Sequence, residues 1–130
     1  MSNQDSGIQF NTVEEAIEDI AQGKFVIVAD DEGRENEGDL ICAAELITPN
    51  MLNFLVTEAR GWVCLALTAE KAHELSLAPM VEKNTESQET AFTVTIDADP
   101  KFGVTTGISA YDRATTIRVA VDASAKPEDL

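Results

Sequence analysis

Apolar side chains recur along this chain at two spacings, and the changes from one to the other mark out its elements. Val13, Ala16, Ile17 and Ile20 follow one another at helical intervals behind Thr12-Val13-Glu14-Glu15, where hydroxyl and carboxylate satisfy the free N–H groups of a helix start. Gly23 supplies the stop, so a first helix is predicted. The apolar run from Phe25 to Ala29 and a second from Leu40 to Leu46 each read as a strand. Thr48-Pro49 opens a second helix with Leu52, Leu55, Val56 and Ala59 inward and Gly61 as its end. Trp62 to Leu67 is a further strand, and Thr68 caps a short third helix carrying Lys71, His73 and Glu74.

From Leu77 to Thr90 periodicity is lost, which predicts a long loop. Phe92-Thr93-Val94-Thr95-Ile96 alternates as a half-buried strand does, and Asp97 to Pro100 ends it. Ser109-Ala110-Tyr111-Asp112 repeats the capping-box pattern ahead of Ala114, Ile117, Val119 and Val121, a fourth helix that runs to about Asp122. Pro127-Glu128-Asp129-Leu130 has the look of another helix start. Neighbouring strands joined by a short loop, together with strands separated by helices, argue for an α+β fold: a mixed sheet flanked by helices in three layers, α-β-α. A helix begun and not completed marks either a truncated domain or a frayed end.

Composition narrows the function. The chain has 130 residues, 44% of them apolar, enough for a core within one domain and too many for a disordered tail. With 24 acids against 9 bases its formal charge is -15, which opposes binding to nucleic acid phosphates or an anionic membrane; neither partner is expected. No apolar run approaches a membrane span, and Met1 to Phe10 is polar and unlike a secretion signal, so a cytoplasmic protein is expected. Cys42 and Cys64 lie in apolar strand-like runs without metal-binding spacing and read as buried, reduced thiols.

The chemistry concentrates between the first two strands. Asp30 to Asp39 holds six carboxylates and Arg34. If Glu35 to Asp39 is extended, Glu35, Glu37 and Asp39 share a face and offer three oxygens to a hard divalent cation, while Arg34 can hold a phosphate or carboxylate. Gly33 and Gly38 indicate a loop shaped by backbone turns. An EF-hand does not fit, since counting from Asp30 places Glu35 where its glycine belongs and Ile41 at its twelfth position. A solvated acidic hairpin loop is the competing reading, as is a non-catalytic module that sequesters a cation or docks a basic partner. Thr105-Thr106-Gly107-Ile108-Ser109 places hydroxyls and a glycine at a helix start, which suits either a bound phosphate or an ordinary strand-to-helix turn. His73, the one histidine, reads as a surface residue.

Arg34-Glu35-Asn36-Glu37-Gly38-Asp39, with Asp30-Asp31-Glu32-Gly33 before it, resembles the signature of the 3,4-dihydroxy-2-butanone 4-phosphate synthases. Arg60-Gly61-Trp62-Val63-Cys64, Asn84-Thr85, Ala91-Phe92-Thr93-Val94, Gly103 to Ala110 and Asp112-Arg113 carry the same likeness along nearly the whole chain. The resemblance implies a lyase of riboflavin biosynthesis that converts D-ribulose 5-phosphate to L-3,4-dihydroxy-2-butanone 4-phosphate and formate. It implies Mg2+ or Mn2+ as cofactor and a homodimer with active sites near the subunit interface. By the same likeness Arg34, Glu35 and Asp39 bind substrate, Glu35 also ligates the metal, and Glu37 and Cys64 are linked to catalysis. The family's domain continues past the position of Leu130 with metal-binding and catalytic histidines and a glutamate that have no counterpart here, and in some relatives a GTP cyclohydrolase II domain follows. Residues 1–130 are thus expected to be a synthase domain without its C-terminal third, with little turnover by itself.

Overall fold

The computed structural model describes residues 9–130; of the polar stretch from Met1 to Phe10, residues 1–8 lie outside the described residues. The chain divides into two compact units, one ending at Ala43 and one running from Ala44 to Leu130. The α+β class holds.

In the first unit, α1 (Val13–Ala21) begins at the predicted capping box: Thr12 accepts from the Glu15 N–H at 3.2 Å, and the Glu15 carboxylate accepts from the Thr12 N–H at 2.9 Å. Gly23, at φ 75°, turns the chain out of the helix. β1 (Val26–Ala29) and β2 (Gly38–Ile41) then pair antiparallel, with Val26 opposite Ile41 and Ala29 opposite Gly38. The second strand was expected over Leu40 to Leu46. It starts and ends earlier because the ladder stops where β1 starts, and Ala44–Leu46 turns instead into a short 3₁₀ helix. This hairpin fixes both ends of the acidic segment.

In the second unit, α2 (Pro49–Glu58) packs on α4 (Ala110–Val121). Thr48 caps α2 as predicted, accepting from the Met51 N–H at 3.2 Å. The chain leaves α2 through Arg60, at φ 57°, rather than through the expected Gly61. α3 (Ala69–Glu74) carries its own cap at Thr68. Leu52, Leu75 and Ala114 are fully or almost fully buried. Small residues on the inner face of α4, Ala114, Thr115, Thr116 and Ala120, allow close approach, and Thr116 Oγ1 accepts from the Ala98 N–H at 3.0 Å. Ala98, Val104 and Val119 form a cluster that Leu130 packs against. The predicted helix start at Pro127 is a single 3₁₀ turn, Pro127–Asp129, tied by the Lys101–Asp129 ion pair at 2.6 Å.

Two predicted strands do not form ladders among the described residues. Trp62 to Leu67 is without strand pairing, and Phe92 to Ile96 contributes one antiparallel bridge, Pro79 to Thr93, with Met80 N–H donating to the Phe92 carbonyl and Val94 N–H to that of Ala78. The described sheet is accordingly a two-stranded antiparallel one, and the larger mixed sheet between helical layers is not assembled in it. Alternation in a sequence records which face a residue takes; it does not supply the neighbouring strand. Trp62 meets Phe92 edge-on at 6.1 Å, yet is 82% exposed.

The long loop after Leu77 is ordered by one carboxylate. Glu86 accepts from the N–H groups of Gln88 and Thr90 and from the hydroxyls of Ser87 and Thr90, while Asn84 bridges from the Glu86 N–H to the Thr90 carbonyl. The Gln88 and Thr90 backbone bonds, outweighing a small desolvation, hold the Glu86 carboxyl at about 2, below its ordinary 4.5. A folded-state value below the unfolded one stabilises the loop fully above pH 4.5, and that contribution is lost as the pH falls toward about 2. Protection of the Gln88 and Thr90 amides against hydrogen exchange, taken relative to the intrinsic rate at each pH, should accordingly fall across that window in wild type, and in Glu86→Gln should already be low at neutral pH.

Candidate active site

The acidic loop is a built structure, and Asp30 is its centre. Its Oδ2 accepts from Arg34 Nη1 at 2.8 Å and from the Glu35 N–H at 3.0 Å, and its Oδ1 accepts from the Asp31 N–H at 2.9 Å. Desolvation opposes ionisation of Asp30, but the N–H groups of Glu35 and Asp31 and the Arg34 charge together outweigh it and hold the carboxyl below its usual range. Asp31 shapes the next turn: its Oδ1 accepts from the Gly33 N–H at 2.7 Å, and its carbonyl accepts from the N–H groups of Arg34 and Asn36. The Asp30 N–H donates to the Glu37 carbonyl at 2.9 Å and closes the loop on the hairpin.

The two glycines differ in what they do. A side chain at Gly33 would press on Asp31 Oδ1, at 2.9 Å, whereas one at Gly38 would make only an ordinary contact with Ile27. The left-handed residue of the loop is neither glycine but Asn36, at φ 53°. Asparagine adopts this conformation more readily than other side chains. Asn36→Gly should therefore leave stability unchanged or slightly raised, while Asn36→Val should cost about 1–2 kcal/mol, read from urea unfolding midpoints.

This turn also corrects the expected convergence of Glu35, Glu37 and Asp39. Alternate residues share a face only along extended backbone, and Asn36 interrupts it between the first two. Only Asp39 of the three lies in a strand, opposite Val28. Among the described residues no group of three or more His, Cys, Asp or Glu side chains stands together as a metal cage. What the loop does bring together is Arg34 with Glu35, Nη1 to Oε2 at 3.5 Å, their side chains 50% and 44% exposed. An exposed guanidinium and an exposed carboxylate side by side suit a ligand that carries both a phosphate and oxygen donors for a cation.

Cys64 belongs to the second unit and is exposed, not the buried core residue expected. Its flanking pattern does predict a strand face, but no strand covers it among the described residues. Cys42 is half-buried, and desolvation raises its thiol pKa. His73 is on the surface of α3, as expected.

At the start of α4 the choice between a bound phosphate and an ordinary turn falls to the turn. The buried Asp112 places Oδ2 where an anion would sit, accepting from the Thr105 N–H at 3.1 Å, the Thr105 hydroxyl at 2.8 Å and the Gly107 N–H at 3.1 Å. The Thr105 hydroxyl bond, against some desolvation, and then the two N–H groups and Ser109 keep its carboxyl below the ordinary range. The expected capping box is thus half made. Ser109 accepts from the Asp112 N–H, but the Asp112 side chain turns to the preceding loop instead of reciprocating.

Residues 14–130 match the family described as 3,4-dihydroxy-2-butanone 4-phosphate synthase. The riboflavin biosynthesis protein RibBA of Aquifex aeolicus (strain VF5) is 60% identical over 122 residues, 94% of this chain and 30% of that protein. RibBA of Synechocystis sp. is 58% identical over 121 residues, 93% of this chain and 22% of that protein. A crystal structure of 3,4-dihydroxy-2-butanone 4-phosphate synthase in complex with two magnesium ions superposes with a TM-score of 0.89 at 41% identity, covering 92% of this chain and 55% of that one. RibBX, a two-domain synthase from A. baumannii, does so with a TM-score of 0.83 at 51% identity, covering 92% and 34%. The chain therefore spans 30% or less of the length of these two curated relatives. With a family match over residues 14–130 and a shared fold at 41% and 51% identity, the chain belongs to the 3,4-dihydroxy-2-butanone 4-phosphate synthase family.

Proposed function

We propose that this chain is the substrate-gripping part of a synthase that converts D-ribulose 5-phosphate to L-3,4-dihydroxy-2-butanone 4-phosphate and formate in riboflavin biosynthesis. The observation that carries the reading is the Arg34–Glu35 pair, displayed by a loop whose sequence matches the family and whose backbone is tied down by Asp30. The two products together contain the substrate's atoms, so the reaction needs no oxidant or reductant. Its demands are proton transfers, a carbon-skeleton shift and a fixed phosphate.

Arg34 offers the phosphate a planar fork of donors. Asp39 accepts hydrogen bonds from the sugar hydroxyls. Glu37 is a proton acceptor, and Cys64 is carried as a further residue of the reaction by the family likeness. Glu35 is the residue here that would hold a divalent ion. A single exposed carboxylate fits Mg2+ or Mn2+ as one ligand of an open site, since Mg2+ is commonly held by one or two carboxylates, retained waters and substrate oxygens. Such an ion supplies Lewis-acid polarisation of the ketose carbonyl.

Residues 1–130 form a synthase domain lacking its C-terminal third, acting as a cytoplasmic homodimer. Two free thiols agree with a reducing compartment, and among the described residues no helix is long and apolar enough to cross a membrane. The exposed Ile27 and Trp62, 75% and 82% accessible, supply apolar surface suited to burial in an assembly. Incubation of the intact gene product with ribulose 5-phosphate and Mg2+ should release formate, and the 130-residue chain should release a trace at most. An intact protein that releases none refutes the reading.

A further inference from the structure

We infer that Asp30 is a positioning residue, holding the Arg34 guanidinium and the Glu35 backbone in the geometry with which the loop grips its substrate; this rests on the functional reading above. Three observations support it. One oxygen, Oδ2, receives both the Arg34 Nη1 bond at 2.8 Å and the Glu35 N–H bond at 3.0 Å, so a single atom sets the spacing between the two residues proposed to meet the substrate. The Asp30 side chain is 20% exposed against 50% for Arg34 and 44% for Glu35, which places it beneath the pair rather than beside it. Its backbone is also fixed, following β1 directly and donating to the Glu37 carbonyl at 2.9 Å.

The geometry at Arg34 makes this useful. A guanidinium carries five donors in a rigid fork, and a carboxylate on Nη1 fixes the plane of the whole group. Its Nε and Nη2 edge can then present two parallel donors to a phosphate, with the orientation set before the ligand arrives. Both Asp30 oxygens already accept bonds from the loop, Oδ1 from the Asp31 N–H and Oδ2 from the pair, which suits a scaffold better than a metal ligand.

A double-mutant cycle on the intact gene product tests the inference. Asp30→Ala should raise KM for ribulose 5-phosphate about tenfold and also lower kcat, because it frees Arg34 and Glu35 together. In an Arg34→Ala background the KM part of that loss should vanish. Asp30→Asn, which keeps one acceptor oxygen, should recover part of the wild-type behaviour, and Glu32→Gln, which removes the same charge from the loop without touching the pair, should behave as wild type. In the 130-residue chain, Asp30→Ala should shift the Glu35 amide resonance and speed its exchange. Additive losses with Arg34→Ala, or a raised Mg2+ requirement in Asp30→Asn with the Glu35 amide unmoved, would overturn the positioning role. A wild-type protein inert toward ribulose 5-phosphate overturns the functional reading and the substrate part of this one; an active wild type with additive losses overturns the role of Asp30 alone.

Discussion

Gly107→Ala should bring the unit from Ala44 to Leu130 close to unfolding. Gly107 is buried at φ 78°, where an L side chain is strained, and a methyl group built there would land within the Asp97 carboxylate. Entering the left-handed region costs a non-glycine residue about 1–2 kcal/mol, and forcing extra volume into a packed site about 1–3 kcal/mol more. The Gly107 N–H also feeds Asp112, so displacing the loop disturbs the carboxylate that organises the start of α4. A loss of about 2–5 kcal/mol is comparable with the whole stability of a small unit. Urea unfolding followed by circular dichroism reads it directly. Gly61→Ala is the control, because a methyl group there meets nothing within 4 Å and the backbone is not left-handed. It should be near neutral. A Gly107→Ala midpoint matching that of Gly61→Ala would show that Asp97 and the Thr105–Ser109 turn move aside freely.

Glu35→Gln in the intact protein should lower kcat by roughly 10²–10⁴, with a smaller change in KM. The amide keeps the size of the side chain and removes its negative charge, so a cation bound there loses its ligand while the loop's backbone bonds to Asp30 remain. Arg34→Ala should show the opposite balance. A phosphate contact of the kind proposed for it would persist from bound substrate through the reaction, so its loss should raise KM about 10–100-fold and leave kcat less affected. Steady-state kinetics on the two variants separates the roles. If Glu35→Gln retained full kcat, the carboxylate would have no part in the chemistry.

Much of the local structure was legible in the chain. Thr12, Thr48, Thr68 and Ser109 each cap the helix that they announce, since a hydroxyl followed by a free N–H three residues on is a purely local bond. The hairpin around the acidic loop was likewise visible, because both of its strands lie close in sequence. Misreadings arose where a bond outside the helix's own first turn, or a strand partner that the pattern does not name, decided the outcome. Asp112 looked like the second half of a capping box, but its carboxylate meets Thr105 and Gly107. Trp62 to Leu67 and Phe92 to Ile96 have strand patterns, and a ladder needs a partner that the pattern does not name.

At the site, residue types alone singled out the loop, its six carboxylates and Arg34 as the candidate seat of chemistry, because a turn between strands does not need that density of charge. How those acids are disposed about Arg34 is decided only by the folded backbone. Asn36 in the left-handed region turns Glu35 and Glu37 out of register, and Asp30, indistinguishable in sequence from its acidic neighbours, is drawn beneath the loop by the charge of Arg34 and the Glu35 N–H. Caps, turns and charge density depend on residues a few positions apart and can be read along the chain. Burial and strand partners depend on what closes over them in three dimensions, and the choice among several like carboxylates on the path that the loop backbone takes.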